Sequence, residues 1–346
     1  MKPRMRPLAG MPNHRPVRNN SMTRRLALAA ALLAGAVPAA ALAQASPWPD
    51  RPVRIIVPFA AGNTLDLAVR VVAEEFRKST GQPLLVEAKP GGAGIVAAQT
   101  VAQAAPDGYT LLLSNTSMLT INPHTFSKLP YDAEKSFRPV TNFLGSAMVL
   151  AVNASVPAST LREFIDWAKP QGDKVSYASF TAGNSSHFAG VILNQKAGLN
   201  MVHVPFNGTP PAVQNLVGGQ VHAAFLPLLA VKPHLEAGRV KVLAVTSPKR
   251  SALMPAVGTF GEQGVPELEI YIWAAISAPA ATPDALIAQI NRHLVAALRT
   301  QEVRDKWRAM DFETLPSTPD ELARFVAADF RRWGEAVRIS GFKANE

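Results

Sequence analysis

Two short stretches hold the residue types that could do chemistry. F-T-A-G-N-S-S-H, from Phe180 to His187, contains the one juxtaposition that suggests a nucleophile and its base, Ser186 beside His187. Neighbours in sequence rarely meet in that geometry, and the chain has no G-x-S-x-G elbow, so a serine hydrolase is the weaker reading and His187 is better taken as a structural histidine or a donor to a ligand. The other stretch is F-A-A-G-N-T-L-D, Phe59 to Asp66, where Asn63 and Thr64 stand at a helix start. Unpaired backbone N–H groups there, beside a hydroxyl and an amide, suit a carboxylate. Ordinary capping by Asn63 or Thr64, with Asp66 compensating the helix dipole, explains the same residues. His124, His203, His222, His234 and His293 are scattered, without H-E-x-x-H or carboxylates at ligand spacing, so no metal is expected. G-G-A-G at Gly91 lacks the Walker lysine and the dinucleotide register, and no cofactor is expected either.

The elements that must position these stretches repeat one design. Arg54 to Val57 is a short β-branched strand ended by Pro58, and Leu65, Ala68, Val69, Val72 and Phe76 give the following helix a dry face. Leu84 to Glu87 and Tyr109 to Leu113 are the next strands, the latter running into Ser114, Thr116 and Ser117. Three strand-loop-helix units indicate an α/β lobe with a mostly parallel sheet, whose loops share the rim at the strands' carboxyl ends. Past Gly145 the design recurs: a strand Ala147 to Val152, a strand Val175 to Ser179 opening into Thr181, Asn184, Ser185, Ser186 and His187 before a helix from Phe188, and Met201 to Pro205 followed by Asn207 and Thr209. The expected architecture is therefore two α/β lobes around a ligand cleft, with a hinge. Lobe 1 comprises 44–147 and 273–346, lobe 2 comprises 148–272, and the C-terminal helices return to lobe 1. The loops offer hydroxyls, amides and glycine backbone with no central cationic side chain, which is equipment for holding an anion through neutral donors.

The start of the chain reads as an export signal. Met22-Thr-Arg-Arg precedes a small apolar run from Leu26 to Leu42, with small-x-small sites ending at Ala43 and Ala45; Met22 reads as the initiator, and 1–43 as a leader removed in the periplasm. An uncleaved anchor is the alternative. Residues 1–43 carry seven basic and no acidic residues, so their loss takes the formal charge from +10 to +3. No basic block with interleaved aromatics remains, and no nucleic-acid partner is expected. The chain has no cysteine, which excludes thiol catalysis and disulfides.

Longer motifs carry a resemblance. W-P-D-R-P-V-R-I-I-V-P-F-A-A-G from Trp48, G-Q-P-L-L-V-E from Gly81, A-A-P-D-G-Y-T-L-L-L from Ala104, I-N-P-H from Ile121, S-S-H-F-A-G from Ser185, M-V-H-V-P-F from Met201 and L-A-V-T-S from Leu243 are similar to the extracytoplasmic solute-binding receptors of tripartite tricarboxylate transporters, the Bug family. The resemblance implies a periplasmic binding protein-like (type II) fold, a monomer that captures a small carboxylate without catalysis, and membrane permease subunits as partners. It places ligand contacts at Phe59, Ala61, Gly62, Asn63, Thr64, Asp66, Ser114, Thr116 and Ser117, and across the cleft at Thr181, Asn184, Ser185, Ser186, His187, Asn207 and Thr209. A sensor that signals to a membrane partner needs the same cleft. Two departures stand out: Ala61-Gly62-Asn63 replaces the family's P-G-G, and Leu226 follows Phe225 where an Asp or Asn is usual, which argues against a ligand bearing an ammonium.

Overall fold

The structure, a computed structural model, describes residues 48–344, so the leader over 1–43 and its cleavage sites lie outside the described residues. Strand β1 (Val53–Val57) pairs in parallel with β2 (Leu84–Ala88) and β3 (Thr110–Asn115). Helix α1 (Thr64–Thr80) begins at Asn63, whose side chain accepts from the Leu65 N–H, and stops at Gly81, whose φ of 74° is the left-handed conformation that a C-terminal cap requires. Its buried Ala68, Val69, Val72 and Phe76 join Val53, Ile55 and Val57 of β1, together with Ile290 and Leu294 of α8 (Asp284–Leu298) and Trp307 of α9 (Gln301–Ala309). Helix α2 (Ile95–Ala102) covers the opposite face, where Ala97, Ala98 and Val101 meet Ile56, Leu112 and Trp273.

One strand carries the chain from one half of the molecule to the other. β4 (Phe137–Asn153) pairs antiparallel with β9 (Tyr271–Pro279) from Phe137 to Ala147, then with β7 (Ala223–Pro227) and β8 (Val240–Val245) from Met148 onward. β7 continues through β5 (Ser176–Ser179) to β6 (Val202–Pro205) in parallel pairing, giving the order β2-β1-β3-β9-β4-β7-β5-β6. Helix α3 (Asn122–Thr125) is a single turn that follows β3, and helices α4 (Leu161–Ala168), α5 (Ser185–Ala197), α6 (Thr209–Val217) and α7 (Leu228–Glu236) cover the second half. Its core has two layers: Tyr177, Phe188 and Phe225 on one face, Ala178, Ala224 and Leu226 on the other.

Three sequence expectations need correction. The strand expected from Ala147 begins ten residues earlier, because register shifts at Pro139/Thr141 and Asn142/Leu144 absorb the proline and polar residues that masked it. The first half is a mixed sheet, since β9 runs antiparallel between β3 and β4. The last helix, α10 (Pro319–Ser340), belongs to neither half alone. Its Leu322 lies in the core with Tyr131 and Trp273, while Trp333, Ala336 and Val337 lie in the core with Phe188 and Ile192. The Asp329 carboxylate fixes it at the crossing, accepting from Thr120 Oγ1 at 3.1 Å, Trp273 Nε1 at 2.8 Å and Trp333 Nε1 at 2.9 Å. No described helix is long and apolar enough to cross a membrane.

Candidate functional site

Strand directions decide which loops come together. β1 and β3 run the same way as β4, whereas β5, β6, β7 and β8 run against it, so the carboxyl ends of both sets point at the switch between Ala147 and Met148. The loops after those strands carry nearly all the predicted ligand contacts, as the rule for open α/β sheets requires.

In the loop after β1, Ala61, Gly62, Asn63 and Thr64 are exposed and Phe59 is half-buried. Asp66 is buried and faces inward: its Oδ2 accepts from the Gly62 N–H at 2.9 Å and from Arg70 Nε at 2.9 Å, and its Oδ1 accepts from Arg70 Nη2 at 3.2 Å. Burial raises its pKa, but the Arg70 and Gly62 hydrogen bonds and the Arg70 charge outweigh that and hold the carboxyl below its usual range. The expected Gly62 N–H donor is therefore already committed. Asn63 uses its Oδ1 on the Leu65 N–H and its own N–H on Ala60 O. Its amide nitrogen and the Thr64 hydroxyl have no partner among the described residues.

The loop after β3 differs from the expectation. Ser114 Oγ donates to Ala275 O at 3.0 Å and lies 2.9 Å from Ser277 Oγ, and Thr116 Oγ1 bonds both the Trp273 N–H and carbonyl, so these two hydroxyls tie β3 to β9. The reason is the pleat: β3 is an interior strand, and β9, which the sequence reading placed nowhere beside it, supplies the acceptors. Ser117, half-buried in a π-helical turn over Ser117–Ile121, keeps an unbonded hydroxyl.

The loop after β5 is a cap. The helix expected from Phe188 starts at Ser185, because Asn184 Oδ1 accepts from the Ser186 and His187 N–H groups at 3.0 and 3.2 Å. Ser186 is fully buried; its Oγ donates to the same oxygen at 2.7 Å and accepts from the Phe180 N–H, so it has no bond to His187 and is not presented to a ligand. Thr181 is exposed, and its hydroxyl donates to Phe180 O. His187 Nδ1 accepts from the Gly183 N–H at 3.2 Å, which assigns the proton to Nε2 and makes that atom a donor. Its ring stacks on His203 at 3.8 Å and 9°, and His203 Nε2 lies 2.7 Å from Ser179 Oγ. Burial pushes His187 down to about 4, and burial followed by the His187 charge pushes His203 down to about 3, so both rings are neutral. Ser185 Oγ and the Asn184 amide nitrogen have no partner among the described residues. In the next loop Asn207 is exposed and Thr209 half-buried, and the Gly208 N–H ties that loop to Phe180 O at 2.8 Å.

Two residues that the sequence reading did not assign to the site shape it. His203 lies within the M-V-H-V-P-F motif, on β6 opposite Tyr177, and the motif alone did not place it at the site. Phe342, after α10, stands edge-on to the His187 ring at 5.3 Å, and a Cβ on Gly183 would fall 2.4 Å from it. The tail continues to Ala344, whose N–H donates to Thr125 O. Leu226 is wholly buried with Val149, Ala178 and Val245, in a cluster against which Phe180 and Phe206 of the rim loops pack. Two open hollows among the described residues, of about 320 and 340 Å³, are lined by none of the predicted contacts.

Comparison with known proteins agrees over most of the chain. Residues 68–342 match the model of the tripartite tricarboxylate transporter family receptor. Among solved structures, the periplasmic binding protein BugD is 30% identical, covering 86% of this chain and 100% of its own, with a TM-score of 0.70. Rpa4515 of R. palustris, solved with adipate, is 29% identical with a TM-score of 0.74 (86% and 99% covered). MatC of Rhodopseudomonas palustris, solved with malate, is 32% identical with a TM-score of 0.68 (84% and 100% covered). The fold is thus that of the periplasmic binding proteins, and the chain belongs to the tripartite tricarboxylate transporter receptor family, the Bug solute-binding receptors.

Proposed function

We propose that the protein is a periplasmic receptor that holds a small dicarboxylate between the two halves and delivers it to the membrane subunits of a tripartite tricarboxylate-type transporter. The observation that carries this is the set of unbonded donors on both rims: the Asn63 amide and Thr64 hydroxyl on one, the Asn184 amide, Ser185 hydroxyl and His187 Nε2–H on the other. A carboxylate accepts from several neutral donors without a buried counterion, and the α1 and α5 N-termini add favourable dipoles. Ser117, Thr181, Asn207 and Thr209 extend the rim, while Asp66, Ser114, Thr116 and Ser186 hold it in shape. The two halves are the lobes of the receptor, dividing at Ala147/Met148 and again between β8 and β9. Adipate and malate in the related structures set the size class. A receptor of this kind performs no catalysis, and Ser186, turned onto Asn184, is no nucleophile. The leader over 1–43 sends the chain to the periplasm.

A thermal-shift screen of aliphatic dicarboxylates, followed by calorimetry, tests the reading, because a ligand of the folded form alone raises apparent stability. Losing a donor to a buried charge costs about 1.5 kcal/mol or more, so Thr64→Ala with Ser185→Ala should weaken a confirmed ligand about a hundredfold. An affinity within twofold of wild type would place the ligand elsewhere.

A further inference from the structure

The second region with unexplained chemistry lies at the hinge, away from the rim loops. On one edge β4 is paired to β9 as far as Ala147, to Thr246 at Met148 and to β8 from Val149, and the Ile270 N–H donates to Thr246 O where the two strands meet. On its other edge β10 (Glu313–Thr314) pairs at Leu144 and Gly145 and β7 begins at Met148, so Ser146 and Ala147 have no strand partner there. An open hollow of about 320 Å³ is lined there by Gly145, Ser146 and Ala147. One wall is α9 and the turn after it, which is fastened to the first core by Val303 and Trp307. The other is the segment after β8, with Ser247 and Ser251, fastened to the second core through Leu253.

Two cations line this space without a carboxylate partner. Arg304 and Arg308 stand at i and i+4 on α9, hence on one helix face, and neither forms an ion pair among the described residues. Arg304 is oriented by the Arg299 carbonyl and by Gln301 Oε1, which accepts from its Nη2 at 2.8 Å; the Arg308 guanidinium has no bonded partner among the described residues. Two carboxyl groups share the lining: Glu313 accepts from the Tyr271 hydroxyl at 3.1 Å, and burial and then the Glu313 charge push Asp311 up to about 6, so its opposition to an anion falls only as pH drops to about that value. Two guanidinium forks about one helical turn apart fit an anion with charged oxygens at both ends better than a single point charge.

We propose that this gap is a second anion site, in which a small polyvalent oxyanion bridges Arg304 and Arg308 of the first half to the Ser247–Ser251 segment of the second. Its walls belong to different halves, so an anion there holds them at one separation, and a changed hinge angle alters its affinity. The chemistry is shared by a tricarboxylate and by inorganic phosphate, and calorimetric titration of the intact mature protein with each, at constant ionic strength, separates the sources. The Thr64→Ala/Ser185→Ala variant, in which the rim is weakened, should keep this site's affinity within twofold, which separates it from the dicarboxylate site proposed above. Arg304→Ala/Arg308→Ala should weaken it at least tenfold, and Arg304→Lys/Arg308→Lys should recover part of the loss with an unchanged melting temperature. Binding of citrate alone makes it a carboxylate site; binding of phosphate alone makes it a phosphate site. Failure of both anions to bind below about 10 mM, binding unaffected by the double alanine variant, or binding abolished by the rim variant would each overturn the proposal.

Discussion

The loops after β1 and β5 are the same device made from different materials. Each places an asparagine at a helix N-terminus, and each follows a strand that ends at the meeting of the two halves. The first loop stays exposed and is held from beneath by a charge, the Asp66 carboxylate gripping Gly62 and the half-exposed Arg70. The second is buried and is held by neutral groups: a three-donor cap on Asn184, the His187–His203 stack and the Phe342 edge. An ion pair at the surface tolerates water and yields to salt, whereas a buried neutral network depends on every partner being present. The difference teaches that equivalent positions in a repeated design can present similar donors to a ligand while failing under different conditions.

Acid should separate the two most strongly. With folded values of about 4 and 3 against an ordinary 6.5, His187 and His203 contribute stability that is present above pH 6.5 and is lost as pH falls through the folded values. By pH 4 the loss should be on the order of 2–3 kcal/mol per ring. Asp66, held below 3.8, contributes stability that persists until pH falls below that value. Amide exchange should therefore accelerate over residues 180–187 between pH 6.5 and 4 while residues 59–66 remain protected. His203→Phe, which keeps a ring on His187, should remove part of that dependence, and equal acid sensitivity of the two loops would erase the distinction.

A smaller effect comes from the caps. Asn184→Ala removes the acceptor of two N–H groups and one buried hydroxyl, and should cost about 2–3 kcal/mol in urea unfolding; Asn63→Ala removes one and should cost about 1 kcal/mol. Similar costs would mean that burial of the second cap adds nothing. The smallest effect belongs to the ion pair between the buried Asp66 and the half-exposed Arg70. Asp66→Asn keeps an acceptor for the Gly62 N–H but loses the attraction to Arg70, and should cost about 1 kcal/mol or less, shrinking further in high salt.

Local chemistry was legible in the sequence and non-local chemistry was not. The β1 strand, the dry face of α1, the loop with Asn63 and Thr64, the return of the design after Gly145 and the three C-terminal helices follow from branching, periodicity and breakers, all properties of adjacent residues. The family motifs extended that reading to the rim. Whether a hydroxyl points at a ligand or at a neighbouring strand depends on which strand lies beside it. Ser114 and Thr116 were misread because β9 arrives between β3 and β4 from more than 150 residues away. Leu226 lies in the core because its side chain follows the β7 pleat, and a pleat has a direction only once β4 is paired. The tertiary structure alone decided that α10 crosses both halves with Phe342 after it, and that Gly145 to Ala147 of β4 line one hollow with Arg304 and Arg308. Those features arise from the packing of surfaces distant in sequence, for which the chain carries apolar side chains but no local pattern naming their partners.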